Sequence, residues 1–378
     1  MTNNLKKIII SASTTDFINA FLLDFIIALS KDKLIILVTN SSISEFNKYI
    51  NIIQVDVKFH RKFNFLSDIK NFFKCFFLIR NHSPTMVISF TPKVGLIMSI
   101  AAYLNRIQFR VHYFTGQIWA QNNTPYHVLL KLSDKLISFL STKILCDSFS
   151  QKNFLLENNI ISDNKISVIH NGSIKGVDTN KFMKKISSIN KLKNNLNISP
   201  DSKIILIVSR LNKDKGITNL PDILTPILEK YHNLFIILIG KDEENLLPWL
   251  YKHKLLKSRL FYLPYADNLE NFFTISNILL ITSFREGFGN IALEATSNEL
   301  PIVSTDIYGL KDIVRNGYNG LTYSNVDTAT YSLNLLLNNN DLCIKFGKNG
   351  RDLALSKYNS NDVIIEMVKF INFFFNEH

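Results

Sequence analysis

Two carboxylates eight residues apart flank a glycine-rich turn in Ser283-Phe284-Arg285-Glu286-Gly287-Phe288-Gly289-Asn290-Ile291-Ala292-Leu293-Glu294-Ala295. The apolar run Ile278–Thr282 precedes it, so the segment reads as strand, turn and helix. Such a turn lets backbone N–H groups approach a phosphate, and the positive end of the new helix favours its charge. Glu286 falls in the loop and Glu294 about two turns into the helix, so both face one crevice. Carboxylates are poor company for phosphate but accept hydroxyl hydrogen bonds well, which makes sugar and ribose hydroxyls their natural targets. A second cluster is Val208-Ser209-Arg210-Leu211-Asn212-Lys213-Asp214-Lys215-Gly216. Its cations Arg210 and Lys215, at the end of a strand, suit a diphosphate that must be held and whose charge grows as it leaves.

Both clusters need a scaffold that ends strands in loops at one edge of a sheet. Short apolar runs recur between amphipathic stretches at Ile8–Ser11, Leu34–Thr39, Met86–Phe90, Phe109–Phe114, Lys143–Cys146 and Ile166–Ile169, the βα alternation of a doubly wound sheet. The Lys-, Asn- and Ser-rich stretch 180–202 interrupts it like an inter-domain connection. Alternation resumes at Lys203–Ser209, Leu234–Gly240, Leu260–Leu263, Ile278–Thr282 and Pro301–Thr305, and three helices are predicted after Asp327. The fold class is therefore α/β with two tandem Rossmann-like domains, and ligands belong outside the carboxyl ends of the strands, in a cleft between them. The predicted domains are 1–185, completed by a C-terminal helix at 360–378, and 186–359.

Composition agrees with this plan. A chain of 378 residues, 46% hydrophobic and 20% charged, is long enough for two sizeable cores and has no segment polar enough to be disordered. Cys75, Cys146 and Cys343 are scattered and odd in number, which argues against a disulfide framework or a zinc site and for a reducing compartment. Ile8-Ile9-Ile10 is too short for a signal sequence, and no apolar stretch reaches the roughly 18 to 20 residues of a spanning helix, so a cytoplasmic protein is expected. The net charge of +12 is uneven: residues 1–180 hold 20 Lys and Arg against 11 Asp and Glu. This points to an anionic partner for the N-terminal half. RNA is one option, but no RRM, KH or interleaved basic-aromatic motif is present, so no nucleic-acid partner is expected.

Taken together, Arg210-x4-Lys215-Gly216 and Glu286-x7-Glu294 resemble the retaining glycosyltransferases of the GT-B fold, in the large family that includes sucrose synthase and bacterial lipopolysaccharide transferases. Val168-Ile169-His170-Asn171-Gly172, Pro301-Ile302-Val303-Ser304-Thr305-Asp306 and Val314-Arg315-Asn316-Gly317-Tyr318-Asn319-Gly320-Leu321 extend the likeness over most of the chain. The resemblance implies that Arg210 and Lys215 bind the donor diphosphate, that Glu294 holds the nucleotide ribose, and that Glu286 meets the donor sugar. Gly287, Phe288, Gly289, Asn290 and Ile291 would line the donor through the amides of the turn. With no DxD sequence, no metal or other cofactor is expected. The donor implied at family level is a UDP-hexose or UDP-N-acetylhexosamine. The chain departs from the pattern at Ser11-Ala12-Ser13-Thr14-Thr15, where glycines are common, at Ser209, and at Thr115, where a donor-contacting histidine commonly stands.

Thr115-Gly116-Gln117-Ile118-Trp119-Ala120 and Phe90-Thr91-Pro92-Lys93-Val94-Gly95 resemble a subgroup that builds capsule, O-antigen and other repeat units on a polyprenyl diphosphate. Thr115, Gly116, Gln117, His112 and Lys93 are accordingly assigned to the acceptor region. A non-hydrolysing sugar-nucleotide epimerase is the alternative enzyme class, although the N-terminal loops offer few carboxylates for its acid/base work. The segment Lys62 to Arg80 has helical periodicity, with Leu66, Ile69, Phe73 and Phe77 as a core-facing stripe that Phe65, Phe72 and Phe76 widen. With Lys62, Lys70, Lys74 and Arg80 interleaved, such a helix suits the headgroups of an anionic membrane. This places the protein peripherally on the inner face of the plasma membrane, where it would collect a lipid-linked glycan acceptor.

Overall fold

A computed structural model describes residues 5–60, 64–120, 126–185 and 189–376. The chain divides into two units, Met1–Lys175 with Asn361–His378, and Gly176–Ser360. In the first, seven strands form a wholly parallel sheet: β1 (Lys7–Ser11), β2 (Leu34–Thr39), β3 (Ile52–Asp56), β4 (Met86–Phe90), β5 (Phe109–Phe114), β6 (Lys143–Cys146) and β7 (Ile166–Val168). Their order is β3-β2-β1-β4-β5-β6-β7. In the second, β8 (Lys203–Val208), β9 (Leu234–Ile239), β10 (Leu260–Leu263), β11 (Ile278–Ile281), β12 (Ile302–Thr305) and β13 (Gly320–Tyr323) run in the order β10-β9-β8-β11-β12-β13. These are two Rossmann-like sheets, as the alternation of the sequence predicts.

Burial explains why the central strands are so readable. Ile8, Ile9 and Ile10 are all fully buried, as are Ile204, Ile205 and Leu206, because helices cover both faces of a parallel sheet. Two of the four edge strands, β3 and β13, are the ones the sequence reading passes over. Ile52–Asp56 is only partly covered and interrupted by polar residues, and Gly320–Tyr323 is short and opens with glycine.

The first sheet's Ile8, Ile10 and Leu145 face a core closed by the last helix, Ser360–Asn376, which contributes Val363, Met367, Ile371 and Phe375 at three- and four-residue spacing. Lys6 donates from its ammonium to the Phe375 carbonyl at 2.6 Å, tying that helix to the start of β1. Ile9, Val87 and Ile144 face the other way, toward a layer made by the helices Phe65–His82, Pro92–Leu104 and His127–Leu140. In the second unit, the stretch 180–202 is more than a connection: Phe182 and Ile198 are buried in its core, and residues Ile189–Asn195 form a helix.

One expectation is reversed. The Phe65–His82 helix buries Asn71, Cys75 and Ile79, with Phe72 and Phe76 partly covered, whereas Leu66, Ile69, Phe73 and Phe77 face outward. The helix is apolar on two sides, so periodicity identifies a stripe without saying which one is inside. Asn71 made the true inner face look polar, but its amide is satisfied by the Lys58 carbonyl at 2.9 Å. Lys62 lies outside the described residues.

Candidate functional site

Strand order reverses at β8/β11, so the carboxyl ends of these neighbours open the crevice in which a ligand of such a sheet is held. The loops that leave them are Ser209–Gly216 and Thr282–Gly289, and a dense set of contacts zips them together. Thr282 donates its hydroxyl to the Lys215 carbonyl at 2.6 Å, and the Phe284 amide donates to the Asp214 carbonyl at 2.9 Å. The Arg285 guanidinium reaches Asp214 at 2.6 Å. Gly216 permits the approach: at φ 66° it is left-handed, and a β-carbon there would lie 2.1 Å from the Thr282 carbonyl oxygen.

Lys215 and Glu286, 71 residues apart, form an ion pair across the two loops with 17% and 21% of their side chains exposed. The pair is accessible at one edge and otherwise shielded. Arg210, at the end of β8, is instead held by Glu243, with its Nη1 2.9 and 3.0 Å from the two carboxylate oxygens. Glu243 also accepts from the Asn212 amide at 2.9 Å. Sequence reasoning missed Glu243 because the loop after β9, Gly240-Lys241-Asp242-Glu243-Glu244, looks like any charged surface turn.

The helix Asn290–Ser297 begins at the end of this crevice. Its N-cap is Gly289, left-handed at φ 75° and ψ 56°, so no side chain caps the first turn. The helices Val326–Asn338 and Asn340–Lys357 differ, each capped by an asparagine side chain, Asn325 and Asn339. Uncapped amides at the positive end of a helix are an anion site. Two buried acceptors nearby, Asn290 Oδ1 and Ser209 Oγ, have no hydrogen-bond partner. Buried polar atoms without partners are rare and mark places where a ligand or water completes the bonding. Glu294 is 7% exposed on the following turn, on a helix whose Ala292, Leu293 and Ala295 are fully buried. The Phe288 ring is 1% exposed in the second unit's core, 5.4 Å from the Tyr358 ring, which leaves its backbone as the part that could meet a ligand.

The first unit's assigned residues separate into buried and accessible ones. His112 is 1% exposed, bonded through Nδ1 to the Ser89 hydroxyl at 2.9 Å and edge-on to Phe114. Gly95 makes room for it, since a β-carbon there would lie 2.3 Å from the imidazole. Burial pushes the imidazole down to about 3, so it is neutral in ordinary buffers. His112 is a core histidine and not a ligand contact. Gln117 is likewise buried, its Oε1 accepting from the Gln151 amide at 3.1 Å. Thr115 and Gly116 are left half-buried after β5, with Gly116 at φ 117°. Lys93 opens the helix Pro92–Leu104 and pairs with Asp68 at 2.9 Å. The hydroxyls after β1 are used internally: Ser11 donates to the Ile88 carbonyl at 3.3 Å, and Thr14 caps the next turn by accepting from Phe17 at 3.3 Å. At the end of β6, burial pushes the Asp147 carboxyl up to about 7 despite its hydrogen bond with Tyr113.

Known proteins resemble this chain in sequence and in fold. The family described as "Glycosyl transferases group 1" matches residues 188–353, which include both charged loops and the Asn290–Ser297 helix. A Staphylococcus aureus capsular polysaccharide biosynthesis glycosyltransferase, CapM, is 28% identical over 92% of this chain and 92% of its own. An Escherichia coli UDP-Gal:alpha-D-GlcNAc-diphosphoundecaprenol alpha-1,3-galactosyltransferase is 23% identical over 82% of each chain. Among solved structures, Anabaena HepE in complex with UDP and glucose superposes with a TM-score of 0.78 at 15% identity, covering 97% of this chain and 99% of that one. Residues 188–353 carry a group 1 glycosyl transferase domain, and the chain has a GT-B fold similar to that of known glycosyltransferases.

Proposed function

We propose that this glycosyltransferase moves a sugar, with retention at the anomeric carbon and without a divalent metal, from a UDP-hexose or UDP-N-acetylhexosamine to a polyprenyl-diphosphate-linked glycan. The product would be a repeat unit of a surface polysaccharide such as a capsule or O-antigen. One observation carries the reading: the Lys215–Glu286 pair stands at the β8/β11 crevice beside the uncapped start of the Asn290–Ser297 helix. A cation, a carboxylate and free helix amides in one place match the three parts of a nucleotide sugar. The diphosphate takes Lys215, Arg210 and the amides about Gly289 and Asn290, the sugar hydroxyls take Glu286, and the ribose takes Glu294.

In the reaction, the bond from the anomeric carbon to the diphosphate oxygen breaks while an acceptor hydroxyl bonds to that carbon on the same face. The hydroxyl proton ends on the released diphosphate. Charge accumulates on the diphosphate, and fixed cations and helix amides stabilise it without reorganising. Arg210 would exchange Glu243 for phosphate, an ion pair replaced by a stronger bidentate one. Thr115, Gly116 and Lys93, at the strand ends of the first unit, are assigned to the acceptor. The names of the S. aureus and E. coli relatives support a capsule-type, undecaprenyl-linked acceptor, and the bound UDP of HepE supports the uridine donor. Such an acceptor is embedded in the inner face of the plasma membrane, and the basic N-terminal half would meet that anionic surface from the cytoplasm. No helix among the described residues is long and apolar enough to cross a membrane.

The test is a thermal-shift panel of nucleotide sugars in EDTA. A donor at about 100 times its Kd stabilises the fold by about 2.7 kcal/mol, a shift of several degrees. If no nucleoside diphosphate sugar raises Tm, the donor assignment fails.

A further inference from the structure

We infer that Asp214 and Arg285 are a positioning pair, which fixes the register of the two crevice loops so that Lys215 and Glu286 stay aligned when a nucleotide sugar draws them apart. This rests on the reading that Lys215 and Glu286 meet the donor. It gives a role to two side chains to which that reading assigns no part of the ligand.

Consecutive residues of the loop after β8 face consecutive residues of the loop after β11 with their charges crossed. Arg285 reaches Asp214 through Nη2 at 2.6 Å and Nε at 3.1 Å, both on the single oxygen Oδ2. One residue further along each loop, Lys215 pairs with Glu286. The order is acid then base on one loop and base then acid on the other, so a single alignment satisfies both pairs. A slip by one residue sets Asp214 against Glu286, or Lys215 against Arg285, and like charges repel. Backbone contacts bring the loops together at the same places, from the Phe284 amide to the Asp214 carbonyl at 2.9 Å and from the Thr282 hydroxyl to the Lys215 carbonyl at 2.6 Å. The short turn Lys213–Lys215 that carries Asp214 and Lys215 is itself closed by Asn212, whose side chain accepts from the Lys215 amide at 3.0 Å.

The two pairs meet different fates in the reaction. A bound donor asks the Lys215 ammonium to face the diphosphate and the Glu286 carboxylate to face sugar hydroxyls, so their mutual contact gives way. The Asp214–Arg285 contact survives that exchange. With 43% and 22% of its side chains exposed, it is solvated enough to add little to stability. Its consequence is geometric. Lys215 follows Asp214 directly and Glu286 follows Arg285 directly, so loosening the pair moves both donor contacts at once, and a misplacement of about 1 Å can slow a reaction about 100-fold.

The experiment measures kcat, donor Kd and Tm for the full chain carrying Asp214→Ala, Arg285→Ala or both. Each single variant should lower kcat about tenfold or more while donor Kd stays within about threefold, the split expected when alignment in the transition state is lost and ground-state binding is kept. Tm should fall by no more than about 4 °C. The double variant should be no slower than either single one, because all three remove one contact. Arg285→Lys keeps the charge without the fork and should recover part of the rate; it carries the test if an alanine variant fails to fold. The reversed pair, Asp214→Arg/Arg285→Asp, places two bases on one loop and two acids on the other, which restores attraction without register. It should regain wild-type Tm but not wild-type kcat, and full recovery of kcat would reduce the pair to a fastener and overturn the inference. Arg285→Ala that weakens donor binding about tenfold or more while Asp214→Ala tightens it identifies Arg285 as a direct phosphate contact and refutes the positioning role. Single variants with wild-type kcat overturn the positioning pair and leave the donor reading intact, whereas wild type that binds no nucleoside diphosphate sugar overturns both.

Discussion

Lys215→Ala separates a catalytic cation from a structural one. Its ammonium contacts Glu286 across the two zipped loops, and both side chains are about four-fifths covered. As an ion pair near the surface it is worth about 1 kcal/mol or less to the fold, so its loss should lower Tm by only about 2–4 °C. A cation about 4 Å from a departing phosphate, at an effective dielectric of about 20, interacts with roughly 4 kcal/mol per unit charge. The donor carries part of that charge before reaction. If half the interaction develops only as the bond breaks, the barrier rises by about 2 kcal/mol, which slows kcat by roughly 30-fold. The assay is release of nucleoside diphosphate at saturating donor and acceptor, beside a melting curve for the same preparation. Lys215→Arg should recover only part of the rate, since a planar fork does not reproduce a compact charge. A kcat within threefold of wild type in Lys215→Ala, with the expected small drop in Tm, would refute the reasoning and leave the pair a loop fastener.

Three further outcomes are expected. Glu294→Ala should weaken donor binding in calorimetry more than Glu294→Gln, because the amide keeps an acceptor for a ribose hydroxyl; equal affinity in wild type and the alanine variant removes Glu294 from the site. Arg210→Ala should lower turnover by at least tens of fold, and Glu243→Gln, which loosens the hold on Arg210, should tighten donor binding a few-fold; unchanged donor affinity in Glu243→Gln argues against an exchange of partners. His112, whose imidazole burial pushes down to about 3 from an ordinary 6.5, stabilises the fold fully above pH 6.5. That contribution is lost as pH falls from 6.5 toward 3, by about 5 kcal/mol over the whole window. In urea titrations His112→Gln should therefore flatten the pH dependence of stability across the window, and an unaltered slope would mean that the ring is not protonated on unfolding.

The sequence revealed what burial on two faces imposes. Runs such as Ile204-Ile205-Leu206 have no other use than a central parallel strand, so the two sheets and their order of appearance were legible. Two of the four edge strands were not, because β3 and β13 are half-covered and their residues resemble loop sequence. Within the site, strand-end logic together with the family resemblance put Glu286 and Lys215 at one donor site, and the structure pairs them. Glu243 gave no signal: a carboxylate in a charged turn acquires meaning only from the guanidinium opposite it. Phe288 stands among the donor residues for its amide, and its ring gains from burial in the core. The outward face of Phe65–His82 was hidden because a buried Asn71 makes the inner face look polar until its hydrogen bond is seen.

The central claim is transfer from a nucleoside diphosphate sugar with retention, and the configuration of the product tests it most directly. Purified protein would be incubated in EDTA with an α-linked UDP-sugar and a short polyprenyl-diphosphate-linked acceptor, and the new linkage read by proton NMR. An α-linked product formed at full rate in EDTA is the predicted result. A β-linked product, or transfer that appears only when a divalent metal is restored, would contradict the account.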